Sequence, residues 1–196
     1  AQGGAYVTAA RQQLMKTYLD GGGKVFLEHY FSAFLRGPGT TAATEAVGPY
    51  GDIATWEYPP PASGFEIFST NPGDMLARID QSFGKGGAFA QWLVTVGASP
   101  SPGGTLQLVD AYSGSHIPRS KYTASTVTTP AERWIYNPVS TTDDSSRHVH
   151  YFDFLTPVEQ STKCGRAVYT GIHVSSASRE ADQDTVRKTG ATSVVF

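Results

Sequence analysis

Charged side chains are scarce in this chain. They make up 16% of 196 residues, 15 basic against 17 acidic, where globular domains average about 25%. The near balance leaves a net charge of -2 and removes the electrostatic basis for nucleic-acid binding. Cys164 is the single cysteine, so no disulfide can close within the sequence and no cysteine-based zinc cluster can form. No apolar run reaches the roughly 18 residues of a membrane-spanning helix. Asn71 and Asn137 are each followed by proline, so no N-glycosylation acceptor is present. The glycine-rich stretches Gly21–Gly23 and Gly84–Gly87 lack both the Gly-x-Gly-x-x-Gly spacing and a Gly-Lys-Ser/Thr ending, so no nucleotide is expected.

What replaces charge is Ser, Thr, Gly and Pro, as in residues 40–44, 99–104 and 123–130. That bias suggests an extracellular or cell-envelope protein. The opening Ala1-Gln2-Gly3-Gly4 carries no basic and apolar leader, so an export signal would have been removed or lie upstream. Hydrophobic content of 39% with 12% aromatics is enough for a packed core. The length fits a single domain over 1–196, which can bury about two-thirds of its unfolded surface.

Apolar residues at helical spacing, Tyr6, Ala9, Ala10, Leu14 and Tyr18, predict a helix that stops at Gly21-Gly22-Gly23. Lys24-Val25-Phe26-Leu27 then reads as a buried strand. Helix, glycine turn and apolar strand form the second half of a βαβ unit, with Gly3-Gly4 where the turn after its first strand would lie. Residues 37–74, with Pro59-Pro60-Pro61, read as an irregular excursion. Beyond it, a short strand is predicted over 75–80 and a helix over 86–96, capped by Gly97. Further strands are predicted over 105–109, 133–136, 149–155 and 165–173. The fold class expected is α/β.

Two segments carry a resemblance. Tyr18 to His29 is similar to the "YV-x-x-GG-x-hydrophobic-x-x-H" segment of ThuA-like proteins, in the class I glutamine amidotransferase-like superfamily. Cys164 to His173 resembles the closing "GRVFYT-x-x-GH" strand of the same group. A closer resemblance is to uncharacterised secreted bacterial proteins, through Gly22 to Tyr30, Arg133 to Tyr136, Tyr151 to Val158 and Cys164 to Ser176. It covers most of residues 1–176. It implies a three-layer, mostly parallel flavodoxin-like sheet whose first strands are not in this chain. An upstream fragment, or a homo-oligomer contact, would then complete the sheet. The resembling proteins also hold a second cysteine, in a stretch that differs here.

In amidotransferases the elbow after this strand carries a cysteine nucleophile. The resemblance places Glu28-His29 there, without a thiol or hydroxyl. His173, ending the last strand, would reach the same carboxyl edge of the sheet, where open α/β sheets bind ligands. His29, His173 and Glu28 are therefore the candidate catalytic residues, suited to acid–base work or to a divalent metal. The alternative for each histidine is a hydrogen bond to backbone at a strand end. His116, Trp56 and Tyr58 are candidate ligand contacts, the two aromatics as a carbohydrate-stacking pair. His148 and His150, an i,i+2 pair with Arg147 beside them, are a weak metal signal. Cys164 precedes a different strand and reads as a buried thiol or half of an intermolecular disulfide. Two functions follow: a binding or structural module without the nucleophile, or a hydrolase-like or carbohydrate-related enzyme using His29 and His173.

Overall fold

Thr8 opens the first helix by accepting a hydrogen bond from the Arg11 N–H (3.3 Å), and three glycines close it. The computed structural model of the chain describes residues 7–36, 48–56, 75–108, 124–128, 130–138 and 146–171. Helix α1 spans Ala9–Asp20. Gly22 follows at φ 99°, a left-handed conformation that costs a glycine little. The turn leads into β1, Lys24–Glu28, then a 3-10 turn over His29–Ser32 and a short helix α2, Ala33–Arg36. Later elements are β2 (Ala54–Trp56), β3 (Met75–Ile79), α3 (Gly84–Thr95) and β4 (Thr105–Leu108). The chain continues through β5 (Ala124–Val127), β6 (Glu132–Pro138), β7 (Ser146–Thr156) and β8 (Gly165–Thr170).

All eight strands join one mixed sheet in the order β1-β8-β7-β6-β3-β4. β5 pairs with the start of β7 and carries β2 on its other side. Helices and a mixed sheet agree with the α/β expectation, but the described pairings are antiparallel except β1 with β8. The mostly parallel sheet is therefore not what these residues form. For two of these pairs the reason lies in the connections. Only residues 157–164 separate β7 from β8, and only 139–145 separate β6 from β7, whereas a parallel crossover takes about a dozen residues or more. The 37–74 excursion is also less irregular than expected, since Ala54–Trp56 is a paired strand.

Each face of the sheet has its own core. On one face α1 and α2 cover Leu27, Phe152, Phe154, Ala167 and Tyr169, joined by Leu19, Leu35, Tyr50 and Trp56. On the other, α3 covers Ala77, Ile79, Leu106 and Ile135 through Ala90 and Leu93. Strand alternation sorts the residues: Phe152 and Phe154 turn one way, Tyr151 the other. Trp134 and Ile135 both reach the α3 side because the β6–β7 register shifts there.

The predicted apolar stripe of α1 is not its buried face. Leu14 and Tyr18 are 69% and 57% exposed, while Gln12 and Leu19 are buried. Gln12 is buried because its amide Nε2 donates to the Ala33 carbonyl at 2.7 Å, which satisfies the polar group. Beside Leu19, Asp20 accepts from Lys16 (2.6 Å) and from the Tyr50 hydroxyl (3.3 Å), tying the helix end to residue 50. Burial, with Asp20 close by, raises the Tyr50 pKa.

Asp80 anchors the start of α3. Its carboxylate accepts the Ser82 N–H (3.0 Å) and the Arg133 Nε–H (2.7 Å), and Arg133 lies over the Tyr136 ring at 3.5 Å. Burial alone would raise the Asp80 pKa, but the Ser82 and Arg133 hydrogen bonds outweigh it and hold it below the usual carboxylate value. A depressed native pKa stabilises the fold above the unfolded-state pKa, and that contribution is lost as pH falls through the native value. Asp80→Asn is therefore expected to cost roughly 1–3 kcal/mol at neutral pH. The gap between variant and wild type should close in acid, as read by denaturant titrations at pH 7 and pH 3. An equal gap at both would exclude the ionised carboxylate as the source.

Candidate functional site

The two segments that carry the family resemblance lie side by side. β1 and β8 form the parallel pair, with Lys24 opposite Arg166 and Glu28 opposite Thr170. The backbone therefore leaves both strands at the same end, and His29 starts its 3-10 turn there. The side chains of Glu28 and His29, with His173, His116 and Tyr58, lie outside the described part of the structure. Beneath this end sits a polar cluster that sequence reasoning missed. Ser32, Arg36 and Tyr169 are 0%, 3% and 1% exposed. Arg36 donates from Nε to Ser32 Oγ (3.3 Å). Burial raises the Tyr169 pKa, opposed by the Arg36 charge and a hydrogen bond with Ser32.

Cys164 lies at the opposite end. It precedes β8, six positions before Thr170, or about 20 Å along an extended strand. The thiol is exposed, not buried, and its Sγ is 3.2 Å from the Asp20 carbonyl oxygen.

Trp56 is a core residue rather than an exposed stacking platform. It is 7% exposed and meets Tyr169 and Phe152 edge-on at 5.4 and 6.0 Å. A stacking role needs an exposed ring, but Trp56, paired in β2 with β5, has its indole in the core. Trp92, within α3, is 44% exposed. His150 is 2% exposed within β7, and the His148 side chain is outside the described part. Among the described residues, no three His, Cys, Asp or Glu side chains gather as a metal site.

A cavity lined by described residues lies on the α3 side of the sheet. There Phe89 of α3 and Trp134 and Ile135 of β6 meet side chains of β1, β7 and β8 around an open groove of about 490 Å³. Phe26, Tyr151 and Val168 form its floor, Phe89 and Trp134 one wall, and Lys24 and Arg166 its charged end. Phe26 is 45% exposed and tilts against Tyr151 at 6.2 Å. Phe89 packs edge-on to Trp134 at 5.5 Å. On the same face, beside Val168 in the β7–β8 register, Asp153 accepts from Trp134 Nε1–H and Arg166 Nε–H. Its side chain is 4% exposed, so both donors are held where a buried carboxylate needs them. Tyr151 has a raised pKa, from burial first and the Asp153 charge second, with Arg166 opposing.

No family profile, curated protein or solved structure matches this chain. Also, no helix among the described residues is long and apolar enough to cross a membrane.

Proposed function

We propose that the protein is an exported binding module, related to ThuA-like amidotransferase-type domains but without their cysteine nucleophile. The observation that carries this is the placement of Cys164. The chain's one thiol stands at the far end of β8 from the elbow after β1, and Glu28 and His29 occupy that elbow. Export is supported by the low charge of 16%. In this reading the parallel half of a doubly wound sheet continues beyond β1, where a strand from another segment or copy is added.

The outer side of β1 is suited to that addition. The Arg166 N–H donates to the Gly23 carbonyl at 3.0 Å, so residues 23, 25 and 27 turn their backbone groups toward β8. Alternation turns those of Lys24, Phe26 and Glu28 the other way, where no described strand pairs with them. Exposed Tyr18 lies against Gly23 on one side of this edge, and exposed Phe26 is on the strand itself. An unpaired edge flanked by apolar side chains is a template for another strand.

The second reading, a hydrolase-like or carbohydrate-related enzyme, is favoured by His29 following β1 at the carboxyl end of the parallel pair. One experiment separates the two. The protein, recovered from medium or envelope fractions, is expected to release no ammonia from glutamine and no product from chromogenic esters or glycosides. Supplying divalent metal should not change this, and Cys164→Ser and His29→Ala should match wild type. Turnover lost in His29→Ala establishes the enzyme reading, and turnover lost in Cys164→Ser overturns the loss of the nucleophile.

A further inference from the structure

The groove between α3 and β1 has a charge pattern that its structural role does not explain. Lys24 and Arg166 are direct partners in the parallel register and line the same groove. Like charges opposed across two strands are destabilising. Asp153 offsets one of them, through the Nε of Arg166, and a guanidinium has five N–H donors, more than that contact uses. Lys24 makes no ion pair among the described residues. The formal balance of the three groups is two positive charges against one negative. The excess sits at one end of a trough otherwise walled by Phe26, Phe89, Trp134, Tyr151 and Val168.

We propose that this groove binds a small free organic acid. Its carboxylate would bridge Lys24 and Arg166, and its flat apolar body would lie on Phe26, Tyr151 and Val168 against Phe89. This rests on the binding-module reading and names the ligand class for it. Three features fit one occupant. The volume, about 490 Å³, is within the roughly 300–1,000 Å³ of small-molecule sites. An anion placed between Lys24 and Arg166 relieves their repulsion. The half-exposed aromatic floor gains burial that the described chain does not give it. Asp153, on the same face of the sheet as Tyr151 and Val168, accepts from Arg166 and Trp134 and fixes both beside the groove.

The test uses the full chain and two probes of equal shape, 2-naphthoate and the neutral 2-naphthamide, titrated by calorimetry. Naphthoate is expected to bind one to one and about tenfold more tightly than the amide, the order of one charge-assisted hydrogen bond. Lys24→Gln, a change at an exposed side chain, should bring naphthoate down to the amide's affinity and leave the amide unchanged. Phe26→Ala should weaken both, with the thermal midpoint of each variant showing that it is folded. Equal affinities for acid and amide, an unaffected Lys24→Gln, or no binding at millimolar concentration each overturn the proposal. Sedimentation of the same samples at twice 20.9 kDa, reversed by Phe89→Lys on the α3 wall away from the β1 edge, would make the groove an interface between copies and overturn it too. None of these failures touches the hydrolysis result, which depends on His29 and Cys164 alone.

Discussion

Phe152→Ala is expected to remove about 3–5 kcal/mol of stability. Phe152 is 0% exposed at the centre of β7. Its ring tilts against Tyr169 at 5.2 Å and receives Trp56 at 6.0 Å. β7 is also the strand to which β6, β8 and β5 are all paired, so the cavity opens where neighbouring strands cannot move in without breaking their own ladders. Because domains are only about 5–15 kcal/mol stable in all, this loss is a large share. Phe152→Leu, which keeps most of the volume, should cost less than about 1.5 kcal/mol. Leu155→Ala, three positions along the same strand but 41% exposed, should fall within about 0.5 kcal/mol of wild type. Urea titrations of the three variants check the order. A Phe152→Ala as mild as Leu155→Ala would mean that the α1-side core is not packed as described.

That contrast within one strand marks what the residues disclose and what they conceal. Alternation in 149–155 separates Phe152 and Phe154 from Tyr151, because a strand's period of two is a local property. The glycines after Asp20 likewise locate the end of α1, since Gly22 at φ 99° is a local requirement. The buried face of α1 is not local. It is chosen by the Ala33 carbonyl, which draws Gln12 inward and leaves Leu14 outside. Strand direction is not local either. The runs 105–109, 133–136 and 149–155 read the same whether parallel or antiparallel, and the brevity of residues 157–164 decides the matter for β7 and β8.

The site divides in the same way. His29 is legible because it adjoins a recognisable strand. The groove is not, because its lining comes from β1, α3, β6, β7 and β8, each contributing one to three side chains. No spacing rule links Lys24 to Arg166; only the parallel register does. Asp153 could be placed on the face away from Phe152, but not identified as the acceptor for two donors on different strands.

Gly165→Ala is expected to be nearly as damaging as the loss of Phe152, by overlap instead of a cavity. Gly165 begins β8 directly beneath the end of α1. A Cβ there would fall onto the Leu19 carbonyl oxygen and Thr156 Oγ1. Neither can retreat cheaply. The Thr156 hydroxyl donates to that same Leu19 carbonyl at 2.9 Å, and the Leu19 side chain is 0% exposed in the core. Making room means lifting the last turn of α1, which breaks the buried hydrogen bond and withdraws Leu19. Overpacking of this kind costs about 1–3 kcal/mol, and more where backbone is the obstacle. With the lost hydrogen bond added, about 3 kcal/mol or more is expected, lowering the thermal midpoint by roughly 6–12 °C for a domain of this size. Gly87→Ala is the control. Gly87 lies within α3 with nothing within 4 Å of its Cβ position, so alanine should stabilise by about 0.5–1 kcal/mol through helix propensity. Calorimetric midpoints moving in opposite directions for the two substitutions would place the α1–β8 contact as described. A neutral Gly165→Ala would show that α1 does not rest on β8 at Leu19.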